Sequence, residues 1–168
     1  MGIRWGASTT TCPSASQLAA GGLRLYGSSF TLAAASSLGG ATALILAIYL
    51  DAAGYDVGKV ITFGQPKVTN MSGSRKYAHL DVTRVVTPKD MVPLVPPLDP
   101  MDMMSMDIYW HQGTELVLME GNSYAELEGV DSMMRATDFM NEMVTTKNLQ
   151  HHYMTEYINS ITPKLVNA

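Results

Sequence analysis

The stretch Phe30–Leu50 reads FTLAAASSLGGATALILAIYL, and the role given to Ser37 within it decides the fold. Before the serine, SFTLAAA is an apolar run of strand length. After SSLGG, Ala41 to Ala53 is apolar nearly all round and ends at Gly54, the pattern of a buried helix stopped by glycine. A strand that passes into a helix through a sharp turn can hold a serine hydroxyl up at the end of a sheet, provided the residues two before and two after it are small. Ala35 and Gly39 meet that condition around Ser37. The backbone N–H of Leu38 and the dipole of the following helix would then face an oxyanion formed at the serine. Small-x-Ser-x-Gly also arises by chance in Ala/Ser/Gly-rich turns, so the pattern acquires meaning only from partners elsewhere in the chain.

Outward from this stretch the elements alternate. GKVITFG is a β-branched run bounded by glycines and predicts a buried strand, followed by a turn at QPKVTN and a polar loop at MSGSRK. LDVTRVVTP and TELVLME predict two further strands, and between them VPLVPPLDPMDMMSMD is too rich in proline for regular structure and carries methionines that form a flexible apolar surface. The last third is helical in pattern. YAELEGVDSMMRATDFMNEMV has apolar residues at Met133, Met134, Ala136, Met140 and Met143, and HHYMTEYINSI has them at Tyr153, Met154, Tyr157, Ile158 and Ile161. Strands and helices in this order predict an α/β domain with a mostly parallel sheet flanked by helices. Residues 1–28 are rich in Gly, Ala, Ser and Thr with only GLRLYG as a strand candidate, so the domain is assigned to residues 29–168.

At 168 residues the chain is one domain in size, able to bury about two thirds of its unfolded surface. A composition of 46% hydrophobic and 15% charged residues is that of a soluble globular domain. The formal net charge of -4 has no basic footprint and excludes nucleic acid as the expected partner. Cys12, the single cysteine, rules out an internal disulfide. No apolar run approaches the roughly 20 residues of a membrane helix, and no secretory leader is visible, so stable membrane insertion is not expected and the compartment is left open.

A nucleophilic serine needs an acid and a histidine from downstream. Asp90 follows the strand DVTRVVT at its carboxyl end, where the sites of parallel sheets assemble; Asp99, Asp102 and Asp107 lie in the loop rich in proline and methionine. A bland role for Asp90 is to cap a turn. Of His79, His111, His151 and His152, only the last two stand late in the chain at the start of an amphipathic helix, and only one of them can face the serine. Adjacent histidines lack the spacing that places two metal ligands on one helix face, so no metal is expected there.

From Ser37 onward the sequence resembles the class 3 (fungal-type) lipases of the α/β-hydrolase superfamily. The resemblance rests on SSLGGATALILAIYL for that family's G-H-S-L-G-G elbow, VITFGQPKVTN for its F-G-x-P strand end, and RVVTPKDMVPLVPP for its acid loop. It continues through YWHQGTELVL for a His-x-Gly segment before a strand and HHYMTEYI for the closing histidine followed five residues later by tyrosine. The resemblance implies Ser37 as nucleophile, Asp90 as acid and His152 as base, with the Leu38 N–H in the oxyanion hole. His111 falls on a family feature other than the base.

What the resemblance implies is a carboxylic ester hydrolase, triacylglycerol lipase-like, working through an acyl-enzyme without metal or organic cofactor. Its partners would be a lipid or other ester substrate and transient contact with a lipid interface. Ala35 and Ser36 replace the Gly and His of the family elbow. The family also carries upstream strands and a loop that donates a second oxyanion hydrogen bond, which residues 1–36 do not match, so the chain is expected to be an N-terminally truncated or divergent member. Without those strands the strand at Phe30 should present an open edge. The rival expectation is a catalytically impaired lipase-like fragment with lipid-binding or no independent function.

Overall fold

The computed structural model describes residues 22–26, 29–33, 37–97, 101, 104, 107–141 and 146–165. In chain order its strands are β1 (Gly22–Tyr26), β2 (Ser29–Ala33), β3 (Val57–Phe63), β4 (Thr69–Asn70), β5 (Asp81–Val86), β6 (Tyr109–Trp110), β7 (Thr114–Leu118) and β8 (Tyr124–Leu127). The α-helices are α1 (Leu38–Ala52), α2 (Met71–Lys76), α3 (Gly129–Asn141) and α4 (Met154–Leu165), with 3-10 turns at Val92–Leu94 and Thr146–His152. One six-stranded sheet has the order β1-β2-β3-β5-β7-β8, and β4 pairs with β6 apart from it. β2, β3, β5 and β7 run parallel, while β1 and β8 close the two sides antiparallel. This is the mostly parallel α/β sheet flanked by helices that the sequence predicts.

The alternation of side chains along the central strands sorts them between two layers. Val60 of β3 and Val82 of β5 join Ala43, Leu44 and Ala47 of α1 on one face. Ile61 and Phe63 of β3, with Val85 of β5, face Tyr157, Met154 and Ile161 of α4 on the other. Leu44 and Val60 are wholly buried, each contributing about 1.5–3 kcal/mol relative to exposure. Between the strands lies a charged knot: Arg84 of β5 stands 3.8 Å from Glu115 of β7, both 1% exposed, and Ser132 and Arg135 of α3 also bond Glu115. Burial lowers the Arg84 guanidinium to about 10, and the Glu115 charge opposes that shift.

Five local expectations are corrected. The segment MSGSRK is a short helix, not a loop, because the Asn70 side chain accepts the Gly73 N–H at 2.8 Å and caps it. Tyr124–Leu127 is a strand, and the predicted helix starts only at Gly129; four residues are too few to show a period, and the edge of β7 captures them. Helix α1 is not buried all round: it buries Gly40, Ala41, Ala43, Leu44 and Ala47, while Leu38, Ile45, Leu46 and Tyr49 are exposed. An apolar sequence cannot say which of its faces meets the sheet. Tyr153, one of the apolar positions that mark the amphipathic helix, is exposed rather than on its buried face. The strand at Phe30 has no open edge either, since β1 pairs with it from Gly22↔Ala33 to Tyr26↔Ser29. Only Gly27 and Ser28 separate the two strands in sequence, a connection of hairpin length.

Candidate active site

Ser37 occupies the turn before α1 with φ 65° and ψ -128°, and among the described residues no other non-glycine has positive φ. Such a conformation costs a serine on the order of 1–3 kcal/mol and persists only where its surroundings hold it. Here the Ser37 N–H donates to the Phe63 carbonyl at 3.0 Å, and the Ser37 carbonyl accepts the Ala41 N–H at 3.2 Å. The turn is therefore fastened to the carboxyl end of β3. Serine at the head of a helix ordinarily caps it with its hydroxyl, but Ser37 makes no side-chain cap. Leu38 is the first residue of α1 and its side chain is 74% exposed; its N–H belongs to the first-turn donors that have no partner within the helix.

Asp90 follows the end of β5 and is fully buried. Its Oδ1 accepts the Val92 N–H at 2.9 Å, and its Oδ2 lies 2.8 Å from His152 Nδ1 and accepts the Tyr157 hydroxyl at 2.6 Å. A buried carboxylate can only accept here, so Nδ1 of His152 carries the ring proton and Nε2 is the acceptor. That Nε2 is buried and has no hydrogen-bond partner among the described residues. His152 closes the 3-10 turn that precedes α4, and the Thr87 hydroxyl donates to the His151 carbonyl at 3.2 Å, tying this turn to the end of β5. Burial first, then the Asp90 charge and hydrogen bond, raise the Tyr157 hydroxyl well above the ordinary tyrosine range. Its ring meets Phe63 edge-on at 6.1 Å.

Both halves meet at one peptide. The Phe63 carbonyl holds Ser37, and the next residue, Gly64, at φ +57°, is so close to the other half that a Cβ there would lie 2.8 Å from Asp90 Oδ2, 2.8 Å from the Tyr157 hydroxyl and 2.9 Å from His152 Cε1. Asp90 and His152 are thus in direct contact, and Ser37 stands across the Phe63–Gly64 peptide from them. Ser37 Oγ is not hydrogen-bonded to His152 Nε2.

Two of the other histidines are occupied elsewhere. His79 is exposed and pairs with Asp51 at 2.9 Å. His111 Nε2 bonds the Pro93 carbonyl at 2.6 Å, and burial, reinforced by the Arg84 charge, pushes its pKa well below the usual histidine range. Among the alternative acids, Asp107 accepts from the Asn70 amide, while Asp99 and Asp102 lie outside the described residues. Tyr157 and the Val92 N–H, both on the Asp90 carboxylate, were not assigned that contact from sequence. The only signal for Tyr157 was its place five residues after His152. Among the described residues no group of three or more His, Cys, Asp or Glu is arranged for a metal ion, and no helix is long and apolar enough to cross a membrane.

A family model described as Lipase (class 3) matches residues 30–99, which contain Ser37, β3 and Asp90. No curated protein matches the chain. Among solved structures, lipase II from Rhizopus niveus is 22% identical with a TM-score of 0.54 over 70% of this chain and 43% of that one. A lipase from Rhizopus microsporus var. chinensis is 22% identical, TM-score 0.52, over 70% and 40%. A triacylglycerol lipase whose catalytic centre is formed by a serine protease triad is 24% identical, TM-score 0.50, over 70% and 45%. These likenesses are of fold, and the chain spans less than half the length of each of the three. Residues 30–99 are thus similar to the class 3 lipase family, and the fold that carries them is similar to that of the three lipases.

Proposed function

We propose that the chain is a carboxylic ester hydrolase of triacylglycerol lipase type, and that residues 29–168 are the C-terminal part of its catalytic domain. The observation that carries this reading is the hydrogen bond from His152 Nδ1 to Asp90, which leaves Nε2 buried and without a hydrogen-bond partner among the described residues. Ser37 Oγ attacks the ester carbonyl while its proton passes to His152 Nε2. The Oγ–C bond forms, the carbonyl oxygen becomes an oxyanion facing the Leu38 N–H, and Asp90 stabilises the imidazolium. On collapse the C–O bond to the alcohol breaks and His152 returns the proton to the leaving oxygen. Water, deprotonated by the same Nε2, then releases the acid and restores Ser37. None of these steps calls for a metal or an organic cofactor.

Lipid esters are the favoured substrates, with transient contact at a lipid interface, and nucleic acid is not expected as a partner. Support comes from the family match and from the side chains of Met101 and Met104, downstream of Asp90, which are exposed rather than filling a core. Fluorophosphonate labelling with mass mapping tests the reading: one adduct at Ser37, absent from Ser37→Ala, is expected alongside hydrolysis of a short-chain p-nitrophenyl ester. A folded chain that stays unlabelled overturns it. The second reading, a lipase-like chain with impaired catalysis, draws on the absent hydrogen bond between Ser37 Oγ and His152 Nε2. It predicts labelling slower by about 10²-fold or more than the general base would give, and efficient ester turnover excludes it.

A further inference from the structure

Lys67 carries a buried positive charge with no carboxylate against it among the described residues. Only 6% exposed, it donates through Nζ to the Leu94 carbonyl at 3.1 Å and the Pro96 carbonyl at 2.9 Å, and through its backbone N–H to the Val95 carbonyl at 2.9 Å. One residue thus holds three successive carbonyls of the segment that follows Asp90. Burial and the nearby Arg84 guanidinium both push the ammonium below its ordinary pKa, so the charge gains nothing from its neighbours beyond those carbonyls. A methionine would fill the same volume without desolvating a charge. What it would lose are the Nζ bonds to the Leu94 and Pro96 carbonyls, leaving only the backbone bond to Val95.

That grip reaches the carboxylate through a short stiff path. Val95 N–H bonds the Val92 carbonyl, Leu94 N–H bonds the Met91 carbonyl, and Val92 N–H bonds Asp90 Oδ1. From the other side His111, kept neutral by burial, holds the Pro93 carbonyl, which lies between the segment gripped by Lys67 and the turn at Asp90.

We propose that Lys67 is a positioning residue for Asp90: by clamping the carbonyls of residues 94–96 it fixes the carboxylate against His152 Nδ1, and so holds His152 in the tautomer with a free Nε2. The kinetic consequence rests on the hydrolase reading above; the geometric one does not. The test is a ring ¹⁵N spectrum of the full chain, with the His152 signals identified by their loss in His152→Ala. The unmutated chain is expected to show His152 as a single tautomer protonated at Nδ1, Lys67→Met a mixture of tautomers, and Lys67→Arg, which restores the donors, the single tautomer again. Ester turnover is expected to follow the same order, with kcat falling about 10-fold or more in Lys67→Met through partial loss of the general base and KM changing little. If Lys67→Met does not fold, Lys67→Gln, uncharged and too short to repeat both Nζ bonds, decides by the same spectrum. A folded Lys67→Met or Lys67→Gln chain with an unchanged His152 tautomer overturns the proposal, as does an unmutated chain in which Nδ1 is not protonated. Absence of turnover and of fluorophosphonate labelling in the unmutated chain overturns the hydrolase reading instead, and the spectrum still decides the role of Lys67.

Discussion

Asp90 and His152 stand 62 positions apart in the chain and are fixed by side-chain bonds across the fold, to each other, to Tyr157 and through Thr87 to His151. Ser37 is fixed in the opposite manner, by its own strained backbone and two main-chain hydrogen bonds, with no side-chain cap on the helix and with its neighbour Leu38 exposed. Asp90 and His152 form a packed unit whose geometry depends on β3, β5 and α4 together. The serine turn is a local structure held in place by one strand end. Mutations in the first unit should therefore perturb chemistry and stability together, and mutations around the serine turn should separate them.

The largest effect tests whether the base belongs to the packed unit. His152→Ala is expected to lower esterase turnover by about 10²-fold or more, while His151→Ala, which keeps the backbone carbonyl used by Thr87, stays within a few-fold of the unmutated chain. Equal losses in the two purified variants would break the comparison at its centre. Next comes the peptide where the two halves meet. Gly64→Ala combines a positive φ with contacts of 2.8–2.9 Å to Asp90, Tyr157 and His152, and strain plus overpacking should lower unfolding free energy by about 3 kcal/mol in urea titration. Unchanged stability would mean the halves are not in such close contact.

Tyr157→Phe removes a hydrogen bond to a charged group and should destabilise by about 1.5–3 kcal/mol at neutral pH. It also bears on pH dependence. Because the folded Tyr157 hydroxyl has its pKa raised above the unfolded value, its contribution is fully present below about pH 10 and is lost as pH rises beyond that point toward the folded pKa. The stability gap between the two chains should therefore be flat through neutral pH and narrow in alkali; a gap that widens with pH contradicts the assignment. The smallest effect sharpens the contrast. Leu38→Ala alters an exposed side chain while keeping the N–H assigned to the oxyanion, and stability should move by no more than about 0.5 kcal/mol, with ester turnover at low substrate within a few-fold. A large loss there would show that the Leu38 side chain, not only its backbone, belongs to the site.

Much of this molecule is legible in its chain. The Gly-bounded run at Val57–Phe63, the β-branched run at Asp81–Val86, the apolar helix after Ser37 and the amphipathic helix at Tyr157 are repeated local patterns, and they suffice for an α/β sheet with helices on both faces. Short elements escaped for the same reason that long ones did not. Tyr124–Leu127 has too few residues to display a period, and its state is set by the edge of β7.

The sequence by itself determined the order and type of the main elements, the small residues that let the chain turn at Ser37, and the acid and histidine available to partner it, because these depend on near-neighbour sterics and hydrophobic periodicity. Only the tertiary structure decided that Tyr157 and the Val92 N–H share the Asp90 carboxylate with His152, that β1 covers the side of β2, and that Lys67 directs its charge to the carbonyls of Leu94 and Pro96. Those contacts join residues far apart in the chain, and which donor reaches which acceptor is fixed by packing geometry that no local pattern records.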